Sequence, residues 1–214
     1  MEETPGADDT RALPDGGDPD AAHVDGLGVT ECTRCEALVE SRSRIVNGTG
    51  PDDAALVFVG EAPGAREDEQ GEPFVGRSGG VLDEALRDAG LSRADVRITN
   101  CVRCRPPENR DPHVEELANC RGYLELELDR LDPDLIVTLG KVPAEHLLER
   151  DVGVTAAAGD TYEIEIRNES RLVMVSLHPA ATLYDRSQAE TFERTIRAAA
   201  EYVDDGGQQQ LGDF

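Results

Sequence analysis

Residues 55–64 read ALVFVGEAPG: five apolar residues, a glycine, then a turn of Gly and Pro around a single acid. An apolar run this short, rich in β-branched and aromatic side chains and stopped by Gly and Pro, predicts a strand buried on both faces. The pattern returns at 96–100 (VRITN), 135–140 (LIVTLG) and 172–177 (LVMVSL). Between these runs the apolar spacing turns helical. It does so over 79–89, where Val81, Leu82, Ala85 and Leu86 share a side, and again over 114–131, 144–149 and 188–203. Residues 162–167 alternate, as an edge strand does. Apolar strands separated by helices predict an α/β fold, a three-layer α/β/α sandwich around a short central parallel sheet. In such a sheet ligands sit beyond the carboxyl ends of the strands. Chemistry is therefore expected in the residues just after each strand.

After the first strand come Gly60, Glu61, Ala62, Pro63 and Gly64, then Arg66, Glu67 and Asp68. The glycine-rich loop 71–80, GEPFVGRSGG, follows and carries Phe74. Asn100 ends the second strand, and His178-Pro179-Ala180-Ala181 follows the fourth. Each feature alone has a structural reading: glycines make turns, a phenylalanine covers a corner of the core, an asparagine caps a loop. Together, a carboxylate loop, an aromatic, an amide and a histidine on one rim make a site.

The chain has 214 residues, of which 38% are hydrophobic, enough for a core and too many for disorder throughout. No apolar run approaches the ~20 residues of a membrane-spanning helix, and the acidic start lacks a signal-peptide core. A soluble, cytoplasmic protein is expected. The acidic Gly/Pro-rich stretch 1–27 and the end, 204–214, read as disordered tails around one domain at 28–203. The net charge is −24; the two tails carry seven and three of those charges, so the domain itself is strongly acidic. Of 21 basic residues only Lys141 is a lysine. An acid-rich, lysine-poor surface suits concentrated salt, where self-repulsion is screened, and predicts a halophilic protein.

Five cysteines in such a chain point to metal or redox chemistry rather than disulfides. Cys32-x2-Cys35 and Cys104-x15-Cys120 form two pairs, with Cys101 left over. Four thiolates suit a zinc site or an iron–sulfur cluster, and spacing alone does not choose. Cys120 lies in the 114–131 helix and Cys104 in the loop before it, so these two can approach.

The segments GEAPGAREDEQGEPFVGRSGG (60–80), RITNCVRCRPPENRDP (97–112) and SLHPAATL (176–183), with the paired cysteines, resemble the family 4 uracil-DNA glycosylases. The similarity runs over residues 31–202 and keeps the order of three motifs and four cysteines. It implies a repair enzyme that flips uracil out of DNA and hydrolyses its N-glycosidic bond. It implies a 4Fe–4S cluster on Cys32, Cys35, Cys104 and Cys120, a uracil-containing DNA partner, and a monomer with no membrane partner. By the same resemblance Phe74 stacks on the base, Asn100 reads its edge, and Gly60, Glu61 and Ala62 line the pocket. His178 stands near uracil O2, where negative charge develops. Residues 180–183, with Ala181 and Leu183, enter the minor groove behind the extruded base. Family 1 enzymes carry an aspartate where this chain has Ala62, which leaves Glu61 or Glu67 to serve the water. A related group that bonds covalently to DNA has a histidine-bearing insertion where this chain reads CRPPENRD.

Uracil offers an O4 acceptor and an N3–H donor, the reverse of cytosine. An Asn100 amide held in one orientation by a neighbouring backbone group would separate the two. Arg97, Arg103, Arg105 and Arg110 against Glu108 make residues 97–110 a basic island of net +3. Its Arg103 and Arg105 are expected on the DNA backbone. A non-catalytic iron–sulfur protein that binds DNA or senses redox state is the competing reading.

Overall fold

A computed structural model describes residues 23–183 and 185–204. The expectations for 1–22 and 205–214 lie outside the described residues. Residues 23–27, expected in the tail, instead form the first arm and turn of a hairpin, β1 (Val24–Asp25) and β2 (Gly28–Val29). Val24 and Leu27 pack against two separate apolar clusters of the body, which is what draws this segment in.

After α1 (Glu36–Ser41), β3 (Leu56–Gly60) leads into α2 (Ala65–Gln70) and α3 (Arg77–Asp88), and then β4 (Arg97–Asn100). Next come α4 (Val114–Leu131), β5 (Leu135–Leu139), α5 (Lys141–Leu148) and α6 (Val154–Ala157). The hairpin β6 (Thr161–Ile166) and β7 (Glu169–Ser176), then α7 (Pro179–Thr182) and α8 (Arg186–Asp204), complete the described residues. The sheet order is β4-β3-β5-β7-β6, parallel across the first four strands and antiparallel at the β6 edge.

Alternation along β3 builds three layers. Leu56 and Phe58 face Leu82 and Leu86 of α3 and Phe192 and Ile196 of α8. Val57 and Val59 face Leu124, Leu128 and Leu131 of α4 and Leu147 of α5. Each large apolar side chain so buried contributes about 1.5–3 kcal/mol before entropy is counted. Both faces of β3 are thus committed to packing, and only its carboxyl end is free for chemistry. The chain leaves β3 for β4 on one side and returns as β5 on the other. That reversal opens a crevice beyond the carboxyl edge. No described helix is long and apolar enough to cross a membrane.

Candidate active site

A cavity of about 260 Å³ occupies the crevice, walled by Glu61, Ala62, Glu67, Phe74, Asn100 and His178, with Gly64 and Ser78 completing it. It lies near the small end of the ~300–1,000 Å³ typical of small-molecule pockets. Gly60, expected to line the pocket, instead ends β3 close against Asn100 and Phe74 without lining the cavity itself. A Cβ there would fall 2.4 Å from Asn100 Oδ1 and 2.5 Å from Phe74 Cε2, so only glycine lets the amide and the ring close over the strand end. The Phe74 and His178 rings lie 5.9 Å apart between centroids, tilted by 36°. Asn100 is 2% exposed. Among the described residues no protein group hydrogen-bonds its side-chain amide, so the expected backbone brace is absent and packing alone orients it. Both ends of the amide are left for a ligand.

His178 caps α7, and its Nδ1 accepts the Ala180 N–H at 3.1 Å. Burial lowers its pKa below the usual imidazole value, so the ring is neutral. With Nδ1 accepting, the proton sits on Nε2, which makes His178 a neutral donor. Glu67 sends Oε1 to the Gly76 N–H at 2.9 Å, tying α2 to the start of α3. Glu61 behaves differently. Burial, reinforced by the carboxylate and hydrogen bond of Asp111, raises its carboxyl to about 7. Sequence reasoning missed Asp111, because an acid in the loop before α4 carries no signal of pairing with another acid.

Behind this wall, Cys32, Cys35, Cys104 and Cys120 all line one narrow cleft, with Leu38, Arg42 and Val102 among its other residues. The pocket and the cleft are joined by Ala62, which lines the one and packs on the cysteine cluster of the other. Arg42 donates from Nη1 to Cys104 Sγ at 2.7 Å and from Nη2 to the Cys32 carbonyl at 2.6 Å. Burial pushes the Cys104 thiol up and that of Cys120 up to about 12. Thiols so protonated ligate only when a metal's own charge displaces the proton. Among the described residues no group of three or more Cys, His, Asp or Glu could hold a single metal ion. The donor set of four thiols around a cleft, with an arginine already bonded to one sulfur, fits a larger anionic group such as an iron–sulfur cluster. Cys101 points elsewhere, wholly buried in the cluster with Leu124 and Leu128.

The family model of the uracil DNA glycosylase superfamily matches residues 47–201. A type-4 uracil-DNA glycosylase of Archaeoglobus fulgidus is 39% identical over 177 residues, covering 81% of this chain and 88% of its own length. That of Thermotoga maritima is 40% identical over 160 residues, 74% of this chain and 81% of the relative. A type-5 enzyme of Pyrobaculum aerophilum is 30% identical over 204 residues, 80% of this chain and 89% of the relative. The chain belongs to the type-4 uracil-DNA glycosylases.

In this glycosylase the basic island does not survive folding as a surface. Arg103 is 1% exposed and donates to Glu127, itself 1% exposed. Arg97 is buried too, with Nε on Glu127 at 2.9 Å and Nη1 on Asp52 at 3.0 Å. Thr99 Oγ1 completes the set at 2.8 Å from Glu127. The two arginines therefore bolt β4 and the loop that follows it to α4 and are out of reach of a phosphate. Glu127 sits seven residues past Cys120 on α4, and its pairing with Arg97 and Arg103 is a long-range match that a local charge sum misses. Arg110 is held by Glu116 at 2.6 Å, and the half-buried Arg105 hydrogen-bonds Asn109 at 2.7 Å. Leu183, just past α7, is exposed, whereas Ala181 is partly covered.

Proposed function

We propose that the cavity receives a uracil flipped out of DNA, and that Asn100, Phe74 and His178 bind it while Glu61 serves the water. The observation that carries this reading is the convergence of a ligand-free amide, an aromatic face and a neutral Nε2–H donor on one small cavity. Asn100 donates its NH2 to O4 and accepts from N3–H. The Phe74 ring stacks on the base. His178 Nε2–H meets O2 as the C1′–N1 bond breaks and its electrons pass to the ring, where a fixed donor acts on developing charge. Water adds to C1′, its proton passing to the Glu61 carboxylate, and uracil and an abasic site leave. Glu67, already engaged by Gly76, holds the wall of the pocket. Ala181 and Leu183 fill the gap behind the flipped base, and exposed Arg66, Arg77 and Lys141 at the helix starts after β3 and β5 lie where phosphates would run. Cys32, Cys35, Cys104 and Cys120 would hold a 4Fe–4S cluster, supplying iron–thiolate bonds that tie the amino-terminal segment to α4.

Incubation with a uracil-containing oligonucleotide tests the reading: alkali-labile abasic sites appear at uracil and not at cytosine. Binding without abasic sites would favour the non-catalytic alternative.

Two further expectations arise here. The acidic, lysine-poor surface supports a halophilic enzyme, so excision persists in molar salt, where the Debye length is only ~3 Å. An optimum below about 0.2 M, with the usual steep fall of DNA affinity beyond it, would contradict that reading of the surface. The second concerns pH. Around Glu61 stand Asp111 and Cys101, and Glu67 and His178 line the same cavity. With a carboxyl at about 7, the base ionises only as pH rises through neutrality, so single-turnover rates climb across that range. Asp111→Asn removes the negative neighbour, lowers the Glu61 pKa and moves the acidic limb of the profile to lower pH. An unmoved limb in that variant would remove Glu61 from the role.

A further inference from the structure

Phe74 sits in an unusual backbone state, at φ +55°. An aromatic residue seldom occupies the left-handed region, and such a conformation persists only where its surroundings over-determine it. Arg93, in the turn before β4, supplies much of that constraint. Its Nη1 donates to the Pro73 carbonyl at 3.0 Å and its Nη2 to the Phe74 carbonyl. Its Nε is fixed by Asp83 of α3 at 2.6 Å, which sets the plane of the guanidinium. Gly79 also crowds this carbonyl: a Cβ there would fall 1.6 Å from Phe74 O. The Phe74 carbonyl is therefore held by a planar two-pronged donor and packed against a glycine in the first turn of α3. The ring is left to lie over Gly60 beside His178.

We propose that Arg93 is a positioning residue for uracil recognition: by clamping the Pro73 and Phe74 carbonyls it holds the Phe74 ring at the height and tilt the flipped base requires. A planar fork reaches two neighbouring acceptors at once, which a lysine ammonium on a flexible stem does poorly. Without the clamp the two carbonyls lose their donor, the turn relaxes out of the left-handed state, and the ring swings off the base plane. The proposal rests on the stacking role of Phe74 under Proposed function. That reading fails separately if Phe74→Ala leaves the affinity for free uracil unchanged.

The experiment measures the dissociation constant of free uracil by calorimetry, kcat and KM on a uracil oligonucleotide, and melting temperature, for Arg93→Ala, Arg93→Lys, Phe74→Ala and Phe74→Ala/Arg93→Ala. Base-on-ring stacking of ordinary strength predicts that Arg93→Ala weakens uracil binding about tenfold. Arg93→Lys recovers part of that loss. In the Phe74→Ala background, Arg93→Ala adds less than about a twofold further loss, because the ring it positions is gone. The drop in melting temperature from Arg93→Ala is the same in both backgrounds. A mere brace of α3 would give equal losses of affinity in the two backgrounds, or a folded Arg93→Ala protein that binds uracil as the parent does; either result overturns the proposal. If Arg93→Ala does not fold, Asp83→Asn, which keeps the guanidinium but frees its plane, decides by the same comparison.

Discussion

Asn100→Asp cuts uracil excision by about two orders of magnitude or more, and cytosine is rejected less strictly than by the parent. Asn100 lies at the last position of β4, 2% exposed, its side chain held by packing on Gly60. Its amide has no hydrogen-bond partner among the described residues, and in the proposed reading uracil is the group that completes it. Replacing NH2 by oxygen leaves uracil O4 facing an acceptor, and each desolvated, unpaired polar group costs about 1–3 kcal/mol. Repulsion between carboxylate and carbonyl adds to that loss. Cytosine gains by the same change, because its amino group finds an acceptor. The shape of the side chain is conserved, so melting temperature stays close to the parent's and the effect is read in kcat/KM for the two bases. A rate on uracil within about threefold of the parent would mean the amide does not read the base. Recognition through Asn100 would then fall.

If the four cysteines hold a cluster, the parent is brown and carries iron and sulfide, whereas Cys104→Ala is colourless, with little of either and a melting temperature lower by about 10 °C or more. Cys104 faces the cleft that Cys32, Cys35 and Cys120 also line, and Arg42 bonds its sulfur directly. Losing one of four thiolates leaves a cluster open to solvent. The segment carrying Cys32 and Cys35 is also tied to α4 by Arg34, which donates to the Asn119 carbonyl at 3.0 Å and lies over the Tyr123 ring. Cys101→Ala is the control. It removes a buried thiol from the α4 side of the core at a cost of about 1 kcal/mol and keeps iron at the parental level. Stoichiometric zinc in protein purified without oxygen, or full iron in Cys104→Ala, would overturn the assignment of a cluster to these four cysteines.

Much of the architecture is legible because it rests on short-range patterns. The apolar runs at 55–60, 135–140 and 172–177 have no alternative to burial, and alternation at 162–167 marks the edge strand that pairs antiparallel as β6. Glycine and proline after β3, and His-Pro after β7, announce where the chain leaves the sheet. A parallel sheet brings its carboxyl ends to one edge, so strand-end position alone gathers Glu61, Glu67, Phe74, Asn100 and His178, and all five line the cavity.

The errors share a cause. Residues 97–110 carry a net positive charge along the chain, but charge along the chain says nothing about which side of a strand each arginine takes. Arg97 and Arg103 fall on the α4 side, where Glu127 waits 24 residues beyond Arg103. Residues 23–27 read as tail because two apolar side chains in an acidic stretch are too few to signal packing. They pack because the body offers a place for Val24 and Leu27.

The sequence by itself determined the layered fold, the edge on which the cavity opens and the kinds of groups that line it, since periodicity and strand-end position are properties of neighbours in the chain. Only the tertiary structure decided which charges are buried and which reach solvent, and that His178 is a neutral Nε2 donor. It alone brought Asp111 beside Glu61 and Arg93 beneath Phe74. Each of these depends on groups distant in the chain meeting in a medium where water is excluded, and there one unpaired neighbour changes a pKa or a backbone state.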